Sequence, residues 1–311
     1  MSIAGAAWTG GVPSPSIRST SGRPGADGIR DRDVRLSDSA MSQATAFALS
    51  LSRGLGLGRT AVLVGFWLFV ASLLAGCAGI QPQATADQRR AAEVNAELGI
   101  SYLRQNDLAQ AQRALDRAIQ FNPRLAMAHL GMASLRERQG SIDAAIEHYR
   151  IALSLEPNNP YVQTNLGDLL CRQGKMAEGQ VLLAKAIANP SYAARHVALL
   201  SAGLCDLNLG ETERAERRMR EALQIEPRYP DALFEMARLT YADGRPFQTR
   251  AFLSRLGALG VVAPESLLLC YKAETQLGNG LEAHRCAERL KRDFPESEEA
   301  AELRRLEQAR G

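Results

Sequence analysis

Five cysteines, Cys77, Cys171, Cys205, Cys270 and Cys286, and four histidines, His129, His148, His196 and His284, carry whatever thiol or imidazole chemistry this chain can do. A thiol can be acylated, oxidised to a disulfide or bound to a metal, and spacing and compartment decide between these. No Cys-x-x-Cys pair occurs, and the histidines stand apart from one another and from any His-Glu-x-x-His arrangement, so no redox motif and no metal site are expected. Neither a Gly-x-Ser-x-Gly elbow nor a P-loop is present. The run Gly54-Leu55-Gly56-Leu57-Gly58 has no nucleotide-binding unit after it and reads as a flexible leader, and Glu298-Glu299 reads as a solvated helix face. With no catalytic constellation, the expectation is a non-enzymatic protein with no cofactor and no small-molecule substrate.

Cys77 differs from the other thiols by its context. The 15 residues from Thr60 to Leu74 are apolar, follow Arg53 and Arg59, and end in Leu74-Ala75-Gly76-Cys77. A basic start, a short apolar run and small residues before a cut form a secretory signal, and the run is shorter than the roughly 20 residues of a membrane-spanning helix. Leu-Ala-Gly-Cys resembles the bacterial lipobox, which implies an acylated Cys77 as the first mature residue. In similar lipoproteins Asp at the next position favours inner-membrane retention, so Ala78 implies the periplasmic face of the outer membrane. Residues 1–40 read as a disordered extension or an early start, Met41 being the better one. Residues 41–76 read as the signal peptide and 77–91 as lipidated cysteine and polar tether.

From Ala92 to Pro295 the chain repeats. Asn106, Gly140, Gly174, Gly210, Gly244 and Gly278 recur at intervals of 34, 34, 36, 34 and 34. A small-bulky-small ladder follows the turn: Ala111, Leu115 and Ala118, then Ala145, Tyr149 and Ala152, then Gly179, Leu183 and Ala186, then Ala215, Met219 and Ala222. Pro123, Pro157, Pro190 and Pro227 close these copies. Apolar residues at helical spacing predict two antiparallel helices per copy, the first ended by a left-handed residue and the second by proline. The pattern resembles the tetratricopeptide repeat. The predicted fold is all-α, a right-handed superhelical solenoid of about six repeats, with residues 296–311 as a C-terminal capping helix. Cys171 and Cys205 lie on first helices of consecutive repeats, two places out of register. They are either two small buried hydrophobes or a disulfide, and the oxidising compartment favours the disulfide. Cys270 and Cys286, at packing positions of the last repeat, are either inert core thiols, which the reading favours, or a second bridge.

Several segments narrow the resemblance. Leu98-Gly99-Ile100-Ser101-Tyr102-Leu103, Leu170-Cys171-Arg172-Gln173-Gly174, Ala202-Gly203-Leu204-Cys205 and Leu290-Lys291-Arg292-Asp293-Phe294-Pro295 are similar to segments of the PilW (PilF) family of type IV pilus biogenesis lipoproteins. Ser201, and Thr249 and Leu256 in a degenerate fifth repeat, depart from that pattern. The resemblance implies a pilotin that helps the pilus secretin assemble or persist in the outer membrane, anchored there by acyl chains on Cys77. A tight-adherence pilus or another envelope assembly is the alternative. Tetratricopeptide modules bind on the inner face of each first helix, which implies a groove of Ile100, Leu103, Met127, Leu130 and Tyr161 rimmed by Arg104, Arg138, Asp168 and Arg172. Those apolar residues could equally seal adjacent repeats. A net charge of +3, 5% aromatic residues and no basic stripe give nucleic-acid binding little support.

Overall fold

A computed structural model describes residues 84–309. The expected extension, signal peptide and Cys77, and the tether as far as residue 83, lie outside the described residues. Thirteen helices run through the described part: α1 Ala86–Arg104, α2 Leu108–Phe121, α3 Ala126–Arg138, α4 Ile142–Leu155, α5 Pro160–Arg172, α6 Met176–Ala188, α7 Arg195–Asn208, α8 Thr212–Ile225, α9 Pro230–Ala242, α10 Pro246–Gly257, α11 Pro264–Gln276, α12 Gly280–Asp293 and α13 Glu298–Gln308. Consecutive odd and even helices form six hairpins, each stacked on the next, and α13 covers the last by packing on α11 and α12.

The turn positions explain the hairpins. Asn106 has φ 58°, and Gly140, Gly174, Gly210, Gly244 and Gly278 have φ between 68° and 78°. A side chain in that region meets its own backbone, so glycine and asparagine stand there and the first helix stops. Proline serves at the other end, opening α5, α9, α10 and α11 at its first helical position, where a missing N–H costs nothing.

The ladder residues form the core. Ala111, Leu115, Ala145, Tyr149, Leu183, Ala186, Ala215, Met219 and Ala222 are all at most 2% exposed. Small residues let the partner helix approach: a Cβ on Gly99 would stand 2.6 Å from Cγ of Leu115. Burying each such leucine stabilises the stack by about 1.5–3 kcal/mol, and no hairpin has a second apolar partner except its neighbours. In the degenerate fifth repeat, Thr249 fills a small-residue place by sharing a hydroxyl contact of 3.1 Å with Thr240, and both are fully buried.

Three expectations change. The polar tether ends sooner than residue 91, because Thr85 and Gln88 form a capping box (Gln88 N to Thr85 Oγ1 3.2 Å, Thr85 N to Gln88 Oε1 2.8 Å) that starts α1 at Ala86. Cys270 and Cys286 are not inert thiols: their Cα atoms face each other at 6.1 Å across the α11–α12 hairpin and the sulfurs are joined. Leu103 is not a surface residue. It is 5% exposed, enclosed with Ala111, Leu115, Met132 and Leu135, because it lies on the side of α1 that meets both α2 and α3.

Cys171 and Cys205 are joined as well, with Cα atoms 5.4 Å apart. The insertion between the third and fourth repeats forms the loop from Asn189 to Ala194, and its Tyr192 turns inward, 6% exposed, against this disulfide, Leu183 and Ala202. The extra residues thus supply a lid for the bond at the least regular junction of the stack.

Candidate functional site

The odd-numbered helices α1, α3, α5, α7, α9 and α11 carry the inner face. Arg104, Arg138 and Arg172 recur on it every 34 residues. Arg138 reaches back one repeat, its Nη1 donating to the Leu103 carbonyl at 2.6 Å, and Arg172 reaches back to Glu137 while its Nε donates to Asp168 at 2.9 Å. Arg104, on the first helix of the described residues, is exposed. Arg138 and Arg172 therefore tie successive first helices as well as charging the face.

Behind that rim lies a buried polar chain. Tyr149, 2% exposed, donates to Glu137 Oε2 at 3.1 Å and lies 3.3 Å from the Ser134 hydroxyl. Burial first, and then the Glu137 carboxylate, push its pKa well up, so it stays a neutral donor and fixes Glu137 for Arg172. The order of contacts is Ser134, Tyr149, Glu137, Arg172, Asp168, with one continuous set of hydrogen bonds spanning the second and third repeats.

The apolar part of the expected groove is largely consumed by packing. Ile100 is half-buried against Gly131 of α3, Met127 against Ala96, Ala118 and Ala128, and Leu130 against the clusters around Ala126 and Ala133. Tyr161 alone among the five opens toward another aromatic, its ring edge-on to Tyr192 with centroids 5.0 Å apart. The polar members, Arg138, Asp168 and Arg172, remain on the face.

The sequence reading stopped at the third repeat and missed how the face continues. His196 of α7 and Tyr229 at the start of α9 meet edge-on at 4.9 Å. Asp231 and Glu235 follow one helical turn apart on α9. Tyr229 is pushed up in pKa by burial, then by Asp231, which also accepts a hydrogen bond from its hydroxyl, and by Asp168, with Tyr192 contributing last. Glu235 pairs with Arg238 at 2.9 Å, whereas Asp231 makes no ion pair among the described residues. Burial raises the pKa of both carboxylates. Asp231 is nonetheless exposed to water. The available signal was Pro230 followed by two acids four residues apart on a first helix.

Among the described residues no group of three or more His, Cys, Asp or Glu side chains could hold a metal ion. The chemistry offered is recognition by charge, hydrogen bond and aromatic contact.

The tetratricopeptide-repeat family profile matches residues 96–161 and 130–194. The type IV pilus assembly protein PilF of Pseudomonas aeruginosa is 27% identical over 234 residues, covering 74% of this chain and 93% of that protein. A crystal structure of PilW, described as a widely conserved type IV pilus biogenesis factor, superposes with a TM-score of 0.63 at 28% identity, over 68% of this chain and 97% of PilW. The chain is a tetratricopeptide-repeat homologue of PilF and PilW. A structure of Pseudomonas aeruginosa PilF gives the same TM-score, 0.63, at 26% identity over 70% of this chain and 98% of PilF. The APC/C hetero-tetramer Cut9-Hcn1 shares the helical solenoid with a TM-score of 0.61 at 17% identity, over 70% of this chain and 42% of that chain, which is a likeness of fold alone.

Proposed function

We propose that this chain is a non-enzymatic type IV pilus biogenesis protein. In this reading it is an outer-membrane lipoprotein, held by acyl chains on Cys77, whose repeat face binds the pilus secretin and assists its assembly or stability. The observation that carries the reading is the near-complete coverage of PilW and PilF, 97% and 98% of their solved chains, by one uninterrupted stack of repeats. An inner face whose polar groups are held in place by Tyr149, Arg138 and Arg172 suits a protein partner, since preformed donors and acceptors lose little entropy on binding.

Deleting the gene tests it. Surface pili and secretin multimers should both fall, and normal twitching with normal multimers in the deletion strain would overturn the reading. The anchor is tested separately by Cys77→Ser, which should leave an unprocessed or soluble protein. If that variant still sediments with outer membranes at the wild-type level after a salt wash, lipidation is not what holds the chain there.

A further inference from the structure

The two ends of the stack are finished differently. At the far end α13 covers the last hairpin. At the near end no hairpin precedes α1 among the described residues, and the side of α1 that would meet one is open. Val94 stands in its repeat where Ala128, Val162 and Ala198 stand in the next three, and Leu98 where Met132, Leu166 and Ala202 stand. Those six are at most 2% exposed, each packed on the hairpin before it, whereas Val94 is 57% and Leu98 39% exposed. A terminal repeat needs a polar outer face to stay in solution, and this one is apolar at both seam positions. The charges around the seam are free as well. Asp87, Arg90, Glu93 and Glu97 are exposed and form no ion pair among the described residues, whereas the later hairpins are laced by pairs such as Arg172–Glu137 and Arg245–Glu216.

We infer that this open side of α1 rests on the phospholipid headgroup layer of the membrane, with Val94 and Leu98 entering the apolar boundary beneath it. Only residues 78–85 separate Cys77 from α1, so an acylated Cys77 holds Ala86 within about 30 Å of the bilayer. At that reach the bilayer is present at an effective concentration that no free partner matches. The chemistry fits too. A zwitterionic headgroup carries a phosphate for Arg90 and an ammonium for Asp87, Glu93 and Glu97, so charges of both signs find partners there. Two aliphatic side chains gain by leaving water. The inference rests on the acyl anchor of the function proposed above, and it adds an orientation. With α1 lying along the membrane, the stack rises from the surface hairpin by hairpin and leaves its inner face clear for a protein.

Tryptophan fluorescence tests it. Trp8 and Trp67, the chain's two tryptophans, both precede Cys77, so the processed protein has none and Val94→Trp supplies a single probe. Leu281→Trp, at a 63% exposed position of α12 in the last repeat, is the control. Both replace exposed side chains and should melt like wild type. The processed proteins are reconstituted into vesicles of phosphatidylethanolamine and phosphatidylcholine, with and without brominated acyl chains. Val94→Trp should emit to the blue of Leu281→Trp and be quenched by the bromines, while Leu281→Trp keeps its emission in water. Adding Leu98→Glu to Val94→Trp should abolish most of that quenching. Unquenched, water-like emission from Val94→Trp overturns the inference. So does a blue shift that grows with protein density and ignores bromine, which assigns the face to a second copy. The mass of the purified chain and its flotation with vesicles report the anchor by themselves. A chain without acyl mass that does not float sinks the anchor and this inference with it, whereas an acylated, floating chain with an unquenched Val94→Trp sinks this inference alone.

Discussion

His129 of α3 and His148 of α4 face each other through their Nδ1 atoms, 3.1 Å apart, and lock the second hairpin. The Nε2 of His129 lies 2.9 Å from the Pro123 carbonyl oxygen, which can only accept, so that nitrogen carries hydrogen. In the neutral ring its Nδ1 then accepts, and His148 Nδ1 donates. The ring centroids are 5.4 Å apart, as they are when the two nitrogens point head-on, a geometry made for one shared proton.

Acid should therefore weaken this fold. The pKa of His148 is lowered, by burial first, then by His129 and Arg136, against the smaller pulls of Glu147 and Asp116. His196 is lowered too, by burial. A histidine with a lowered folded pKa contributes its full stability above the unfolded value of about 6.5 and loses it as pH falls below that toward the folded value. The melting temperature should drop between about pH 7 and pH 5, and His148→Asn, which keeps a donor near His129 but cannot titrate, should flatten part of that drop. An unchanged pH profile in the variant would assign the acid sensitivity elsewhere.

Breaking the Cys171–Cys205 bond should cost more than breaking Cys270–Cys286. The first closes 34 residues and the second 16, for which chain entropy gives roughly 4 and 3 kcal/mol. Urea titrations of Cys171→Ser and Cys270→Ser measure the difference. Thiol labelling of the denatured, unreduced protein should find all four sites blocked, and full labelling would refute both bonds.

Two glycine substitutions should move stability in opposite directions. A Cβ on Gly179 would stand 2.6 Å from the Sγ of Cys171 and 2.6 Å from the backbone oxygen of Gly167. The sulfur is tied by its disulfide and the oxygen belongs to α5, so neither can retreat, and Gly179→Ala should cost about 1–3 kcal/mol. Gly257, at the end of α10, has nothing within 4 Å of that position. Gly257→Ala should stabilise by roughly 0.4–1 kcal/mol by narrowing the unfolded ensemble. Chemical unfolding of both variants checks the signs.

Asp206 is the one fully buried carboxylate between α6, α7 and α8 that gathers several donors. Its Oδ1 accepts from Gln180 at 2.7 Å and from Arg214 at 2.9 Å, and Arg218 stands 2.9 Å from Oδ2 as an oblique ion pair while donating to the Ala202 carbonyl. Asp206→Asn leaves two arginines without their counter-charge and sets an amide N–H among donors. The expected loss is about 3 kcal/mol, tempered because both arginines reach water. A loss below about 0.5 kcal/mol, the usual range for a surface change, would show that solvent already satisfies them.

The repeat architecture was legible because each of its devices is local. The left-handed turn at Asn106 and the five glycines, the prolines at helix boundaries and the alternation of small and bulky residues such as Ala111 and Leu115 each state one backbone or packing requirement, and the 34-residue period adds them in phase. The period placed Cys171 and Cys205 on adjacent first helices but two places out of register, and the stacking at the insertion brought them together. The surface did not, because a first helix in such a stack has two buried sides. Leu103 and Ile100 carry the same apolar signal whether they seal against the next hairpin or face outward, and only the stacking decided for Leu103 in favour of the core. Cys270 and Cys286 meet because two helices of one hairpin bring them opposite each other, while His129 finds His148 and Tyr161 finds Tyr192 through side-chain reach across turns. Periodicity fixes which residues share a helix face. What lies across from that face depends on the angle and distance at which whole helices settle, and those are set by the summed packing of all their side chains at once.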